Sequence, residues 1–166
     1  MKINDDHMFH GAALTQIAEH PQFTAINSFI FKREKSRCGF TVNDDIGIYL
    51  KYANEPHGGY DEYKFTFTRE HLEELTALKA KRRTVVIGLV CVKDKEICAL
   101  PLDDFLRLIK MRRDEVGTEE EQYQVLVTAP EHSNFRVYVN VPAAKGKTLG
   151  MRLIPRKNFP NALFRS

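Results

Sequence analysis

Residues 37–68 read RCGFTVNDDIGIYLKYANEPHGGYDEYKFTFT, and three alternating runs within them decide the fold. Cys38, Phe40 and Val42 alternate with Arg37, Gly39 and Thr41. Ile46, Ile48, Leu50 and Tyr52 alternate with Gly47, Tyr49 and Lys51, and Tyr63, Phe65 and Phe67 alternate with Glu62, Lys64 and Thr66. A period of two built from β-branched and aromatic residues marks half-buried strands. Paired residues share a face, so a slip by one sets apolar side chains against polar ones. Matching faces pairs Val42 with Ile46, Phe40 with Ile48 and Cys38 with Leu50. That leaves Asn43-Asp44-Asp45 as a loop, where Asn and Asp tolerate a left-handed backbone. The same rule sets Tyr52 opposite Tyr63, Leu50 opposite Phe65 and Ile48 opposite Phe67, around a turn at His57-Gly58-Gly59. The polar face then carries Arg37, Lys51 and Lys64 side by side, next to Glu62 and Tyr49. Three adjacent cations repel one another. They are either solvated side chains on an open face or a site for an anion such as a phosphate.

The rest of the chain supplies what would cover this sheet. With 166 residues, 43% hydrophobic and 28% charged, the composition is that of one globular domain with a sizeable core, taken as residues 1–166. No apolar run approaches the roughly 18 residues of a membrane span. The N-terminus, MKINDDHMFH, has acids where a signal peptide is apolar, so a cytoplasmic protein without a membrane partner is expected. Three cysteines without a close pair fit neither a disulfide framework nor a zinc ribbon. Cys91 and Cys98 are expected opposite each other in a hairpin as small buried residues.

Net charge is +3 but unevenly spread. After Glu131 there is no acid, whereas Arg136, Lys145, Lys147, Arg152, Arg156, Lys157 and Arg165 give seven positive charges. The first 131 residues therefore carry −4. Such asymmetry points either to a polyanionic partner or to a basic end packed on an acidic surface.

His7–Glu19 has helical spacing, with Phe9, Ala13, Leu14 and Ile17 apolar and Pro21 beyond the end. His7 and His10 with Asp5 and Asp6 match no standard metal-ligand spacing. Ala25–Lys32 reads as a short strand. Thr68 caps a helix over Arg69–Lys79 whose apolar stripe is Leu72, Leu75 and Leu78. Thr84–Val92, TVVIGLVCV, is apolar on both faces, as in a central strand covered on both sides. A turn at Asp94-Lys95 leads to a strand at Glu96–Leu100, and Pro101 opens a helix from Leu102 to about Arg113. Gln122–Thr128 and Phe135–Val141 alternate as strands. AAKGKTLG suggests a mobile loop, and the two prolines after it argue against long regular structure. Phosphate-loop and dinucleotide fingerprints are absent.

The order helix, strands, helix, buried strand resembles the core of the PD-(D/E)xK nuclease-like superfamily over about Leu14–Leu108. It is carried by GIYLKYA (47–53), YKFTF (63–67), the helix after it, and TVVIGLVC (84–91) with EICAL (96–100). The resemblance implies an Asp followed by Glu-x-Lys or Asp-x-Lys that holds a divalent metal and activates water. With Glu62-Tyr63-Lys64 as the motif, the upstream carboxylate is Asp45. The register above then places it eight residues along the strand from Glu62, on the order of 26 Å, too far for one metal. With Lys51 as the motif lysine, Tyr49 stands where the carboxylate belongs, and the paired strand offers Arg37 and Gly39 instead of Asp. Tyrosine is a poor ligand for Mg²⁺.

The expected fold is α+β, a mixed or mainly antiparallel sheet flanked by two or three helices. The expected function is a nucleic-acid-associated protein with a nuclease-like but degenerate core. Its partner is DNA or RNA, and it binds phosphates through Arg37, Lys51 and Lys64 and through the basic segment from about residue 132, with Arg152, Arg156 and Lys157. One alternative is a non-catalytic accessory or inhibitor protein that meets an acidic protein surface. Another is an active nuclease drawing on Glu19, Asp45, Glu62 and Lys64. Only this last alternative needs a cofactor, Mg²⁺.

Overall fold

The computed structural model describes residues 1–144 and 146–165; Lys145, one of the seven basic residues and part of the anticipated mobile loop, lies outside them, as does Ser166. The elements are α1 (Asp5–Ala18), β1 (Ile26–Phe31), β2 (Glu34–Val42), β3 (Ile46–Ala53), β4 (Tyr63–Thr68), α2 (Arg69–Lys81), β5 (Thr84–Cys91), β6 (Glu96–Pro101), α3 (Leu102–Val116), β7 (Gln122–Thr128), β8 (Phe135–Asn140) and β9 (Thr148–Ile154). A 3₁₀ turn at Asn161–Leu163 follows. They build an α+β fold with two sheets, one mixed in the order β1-β2-β3-β5-β6 and one antiparallel in the order β4-β7-β8-β9.

The first hairpin forms as its alternation dictates. Val42 pairs with Ile46 and Phe40 with Ile48. Asn43 and Asp44 in the loop take positive φ, 52° and 66°. The Asn43 amide oxygen accepts from the backbone N–H groups of Thr24 and Ala25, tying the approach to β1 onto this turn.

The second hairpin does not form, which corrects the expected register. β3 pairs in parallel with β5, from Ile46 with Thr84 to Ala53 with Cys91, and β4 pairs instead with β7 in the other sheet. Tyr63, Phe65 and Phe67 are still buried and Lys64 still exposed. Alternation fixes which face of a strand is covered. It does not say whether the cover is a neighbouring strand's face or a stacked sheet. As a result Arg37, Lys51 and Lys64 form no row. The face of β3 carrying Tyr49 is not open either, since Tyr49 is fully buried.

β5 is central, as its two apolar faces require. Val85, Ile87, Leu89 and Cys91 join a core that also takes in α2, α3 and the second sheet, while Val86 and Val90 join a second core under α1 and the C-terminal segment. Cys91 pairs with Glu96 and Cys98 with Leu89, so the two thiols are not opposite each other. Both are buried and free. β9 forms in a proline-flanked stretch that the sequence reads as irregular; it pairs along β8 as the edge of the second sheet. Among the described residues no helix is long and apolar enough to cross a membrane.

Candidate functional site

The site begins with a bulge. β1 and β2 pair from Ile26 with Val42 to Ser28 with Phe40, and resume at Ile30 with Lys35. Four residues of β2, Ser36 to Gly39, therefore face the single residue Phe29. The Ser36 hydroxyl oxygen accepts from the backbone N–H groups of Cys38 and Gly39, at 3.2 and 2.9 Å. Strand amides satisfied locally no longer need a neighbour. The β2–β3 ladder accordingly stops at Gly39 with Tyr49, and the expected Cys38–Leu50 pair is absent. Beyond that point the hairpin tip diverges from β3, and a cleft of about 580 Å³ opens at the carboxyl end of β3.

Three walls surround Lys51 and Tyr52 of β3: Asp6 and His10 from α1, Phe31 and Glu34 to Cys38 from the hairpin, and Glu70, His71 and Glu74 from α2. Both helices are fixed at this end by the same device. Asn4 caps α1 and accepts from the His7 N–H at 2.9 Å, while His7 Nδ1 accepts from the Asn4 N–H at 3.2 Å. The Thr68 hydroxyl accepts from the His71 N–H at 3.3 Å, and His71 Nδ1 accepts from the Thr68 N–H at 3.1 Å. These are capping boxes with histidine in place of the usual Glu or Gln.

Lys51 is the central cation. Burial lowers its pKa, and its ammonium lies 5.5 Å from the Phe67 ring centroid. Among the described residues it has neither an ion-pair partner nor a hydrogen-bond partner. Glu74 is 8% exposed, and one of its oxygens accepts from the Tyr49 hydroxyl at 3.1 Å. Burial first, then the neighbouring Cys38 and Glu74, keeps the Tyr49 phenol protonated. His10 is 4% exposed, and its Nδ1 has no partner. Burial lowers the pKa of His10 and His71 and raises that of the Cys38 thiol. Arg37, at the rim, directs Nε and Nη2 to one oxygen of Asp6, at 3.1 and 2.8 Å.

The other residues singled out from sequence lie elsewhere. Lys64 is exposed on β4, and Lys157 is exposed near the C-terminus. Arg152 pairs with Asp104 at 3.3 Å. Arg156 donates to both oxygens of Glu96, at 2.6 and 3.1 Å, donates to the Pro130 carbonyl and stacks over Phe135. Asp45 accepts from Arg83, Glu62 accepts from the Tyr138 hydroxyl, and Glu19 caps the far end of α1. Glu19, Asp45 and Glu62 thus form no carboxylate cluster. No group of three His, Cys, Asp or Glu among the described residues is placed to hold a metal.

His10, His71 and Glu74 were not singled out as site residues. Their signal lies in helical spacing. Asp6, His10, Ala13 and Ile17 share a face of α1, and His71, Glu74, Leu75 and Leu78 share a face of α2. On each helix the core stripe turns polar toward the N-terminus, and those two polar ends meet at the cleft. Comparison with family models, curated proteins and solved structures finds no match to this chain.

Proposed function

We propose that this is a nucleic-acid-associated protein that takes a phosphate group into the cleft at the end of β3. A nuclease-like core is retained in this reading, without the carboxylates that would hold a catalytic metal. The observation that carries it is Lys51, a half-buried ammonium in the cleft with no ion-pair partner among the described residues. A partly desolvated charge without a paired anion is costly, and an incoming phosphate supplies the partner. The neighbouring acids make no ion pair with it: Asp6 is held by Arg37, and Glu74 accepts from Tyr49. The cleft is of small-ligand size, within the usual range of about 300–1,000 Å³. It therefore suits one or two nucleotides of a single strand rather than a duplex. Arg37 at the rim can exchange Asp6 for a second phosphate.

Fluorescence anisotropy with short single-stranded oligonucleotides at low salt tests this. Lys51→Met is expected to weaken binding at least about tenfold, the worth of one charge-assisted hydrogen bond. Lys64→Ala, on the other sheet, should leave it unchanged. No binding at low salt, or binding indifferent to Lys51→Met, would overturn the proposal.

A further inference from the structure

Lys51 and Glu74 line the same cleft, yet no ion pair joins them. A cation and a carboxylate held apart in a partly desolvated cleft leave each other incompletely compensated. Glu74 spends one oxygen on the Tyr49 hydroxyl, and its other oxygen has no hydrogen-bond partner among the described residues. A carboxylate only accepts. The cleft therefore pairs a donor that wants an anion with an acceptor that wants a hydrogen. A third polar residue, His10, lines the same cleft; it is almost fully buried and its Nδ1 has no partner.

We infer that the cleft takes ribonucleotide strands in preference to deoxyribonucleotide strands, with Glu74 accepting a hydrogen bond from a ribose 2′-hydroxyl while Lys51 holds the adjacent phosphate. This inference rests on the phosphate-binding reading above and names the substrate class for that site. The chemical ground is a difference in donors. The sugar-phosphate backbone of DNA offers acceptors only, and a carboxylate beside its phosphate repels it. In RNA the 2′-hydroxyl is a donor next to the 3′-phosphate, so one nucleotide presents an anion and a hydrogen side by side. A carboxylate oxygen served only by water in the free cleft loses that partner when a deoxyribose displaces the water, and gains a new one from a ribose.

The test compares, on the wild-type chain, one short single-stranded sequence as RNA, as DNA and as 2′-O-methyl RNA. RNA is expected to bind roughly tenfold or more tighter than the other two, the effect of one hydrogen bond to a charged acceptor. Because the change is made in the ligand, the result does not depend on a variant folding. Glu74→Gln keeps an acceptor and should retain part of the preference, whereas Glu74→Met should abolish it. Equal binding of RNA and DNA, lost in Lys51→Met, would overturn the ribose preference and leave the phosphate reading standing. A preference that survives 2′-O-methylation and follows base identity would also overturn it, by assigning Glu74 to a base amine. Absence of binding by all three ligands would overturn both.

Discussion

Lys51 shows the conflict between folding and binding at the scale of one residue. Its ammonium is partly desolvated, with the Phe67 ring and carboxylates not paired with it to compensate. A methionine fills similar space without a charge. Lys51→Met should therefore stabilise the protein by about 0.5–2 kcal/mol while it removes anion binding, and a melting curve beside a binding curve separates the two effects. The histidines set a pH limit. Burial holds His10 and His71 below the ordinary 6.5, so on acidification the unfolded chain takes up protons first. Stability is then full above about pH 6.5 and is lost as pH falls through the lower folded values. Protonation of His71 at Nδ1 also removes the acceptor for the Thr68 N–H. His71→Gln keeps a capping side chain without a titratable group. Melting temperatures at pH 5 and 7.5 should therefore differ less in that variant than in the wild type.

At the scale of elements, β5 and α2 carry the site. Ile87 is fully buried in the core shared by both sheets, so Ile87→Ala should cost about 2–5 kcal/mol through lost burial and the cavity left behind. Urea unfolding measures this, and a neutral result would show that β5 is not central. α2 lies so close to β3 that a Cβ on Gly47 would come within 2.7 Å of Leu78 Cγ. Gly47→Ala should push α2 outward and destabilise by roughly 1–3 kcal/mol. Because α2 brings His71 and Glu74 to the cleft, the same variant should weaken ligand binding, although residue 47 lies outside the cleft.

For the whole molecule, part of the uneven charge in the sequence is an internal matter. Arg152 and Arg156 come from the basic end and pair with Asp104 and Glu96 from the acidic remainder. Arg156→Ala should then lower stability by about 1–3 kcal/mol, through lost hydrogen bonds to a charged group, and leave nucleic-acid affinity unchanged. With few free cations near the cleft, the salt dependence of binding should be shallow. The log–log slope should be roughly 0.7 in magnitude per phosphate held on a single strand. Mg²⁺ or Mn²⁺ should produce no cleavage, since no group of three His, Cys, Asp or Glu among the described residues is placed to hold a metal. Metal-dependent cutting of DNA or RNA by purified protein would refute that.

The sequence alone determined whatever depends on neighbours along the chain. Alternation placed β2, β3, β4, β7 and β8, the Thr68 cap started α2, the doubly apolar run of β5 made it central, and Lys51 and Arg37 were already marked as cations of interest. Tertiary structure decided what depends on competing partners. β4 could satisfy its apolar face by pairing or by stacking, and the periodicity of Tyr63, Phe65 and Phe67 is the same in both cases. The bulge at Ser36–Gly39 exchanges ladder hydrogen bonds for bonds to one serine hydroxyl. The alternatives are each worth about 0.5–1.5 kcal/mol net, too close for local sequence to separate. That exchange parts β2 from β3. The cleft lies where the hairpin tip leaves β3, and α1 and α2 bring His10, His71 and Glu74 to it beside Lys51.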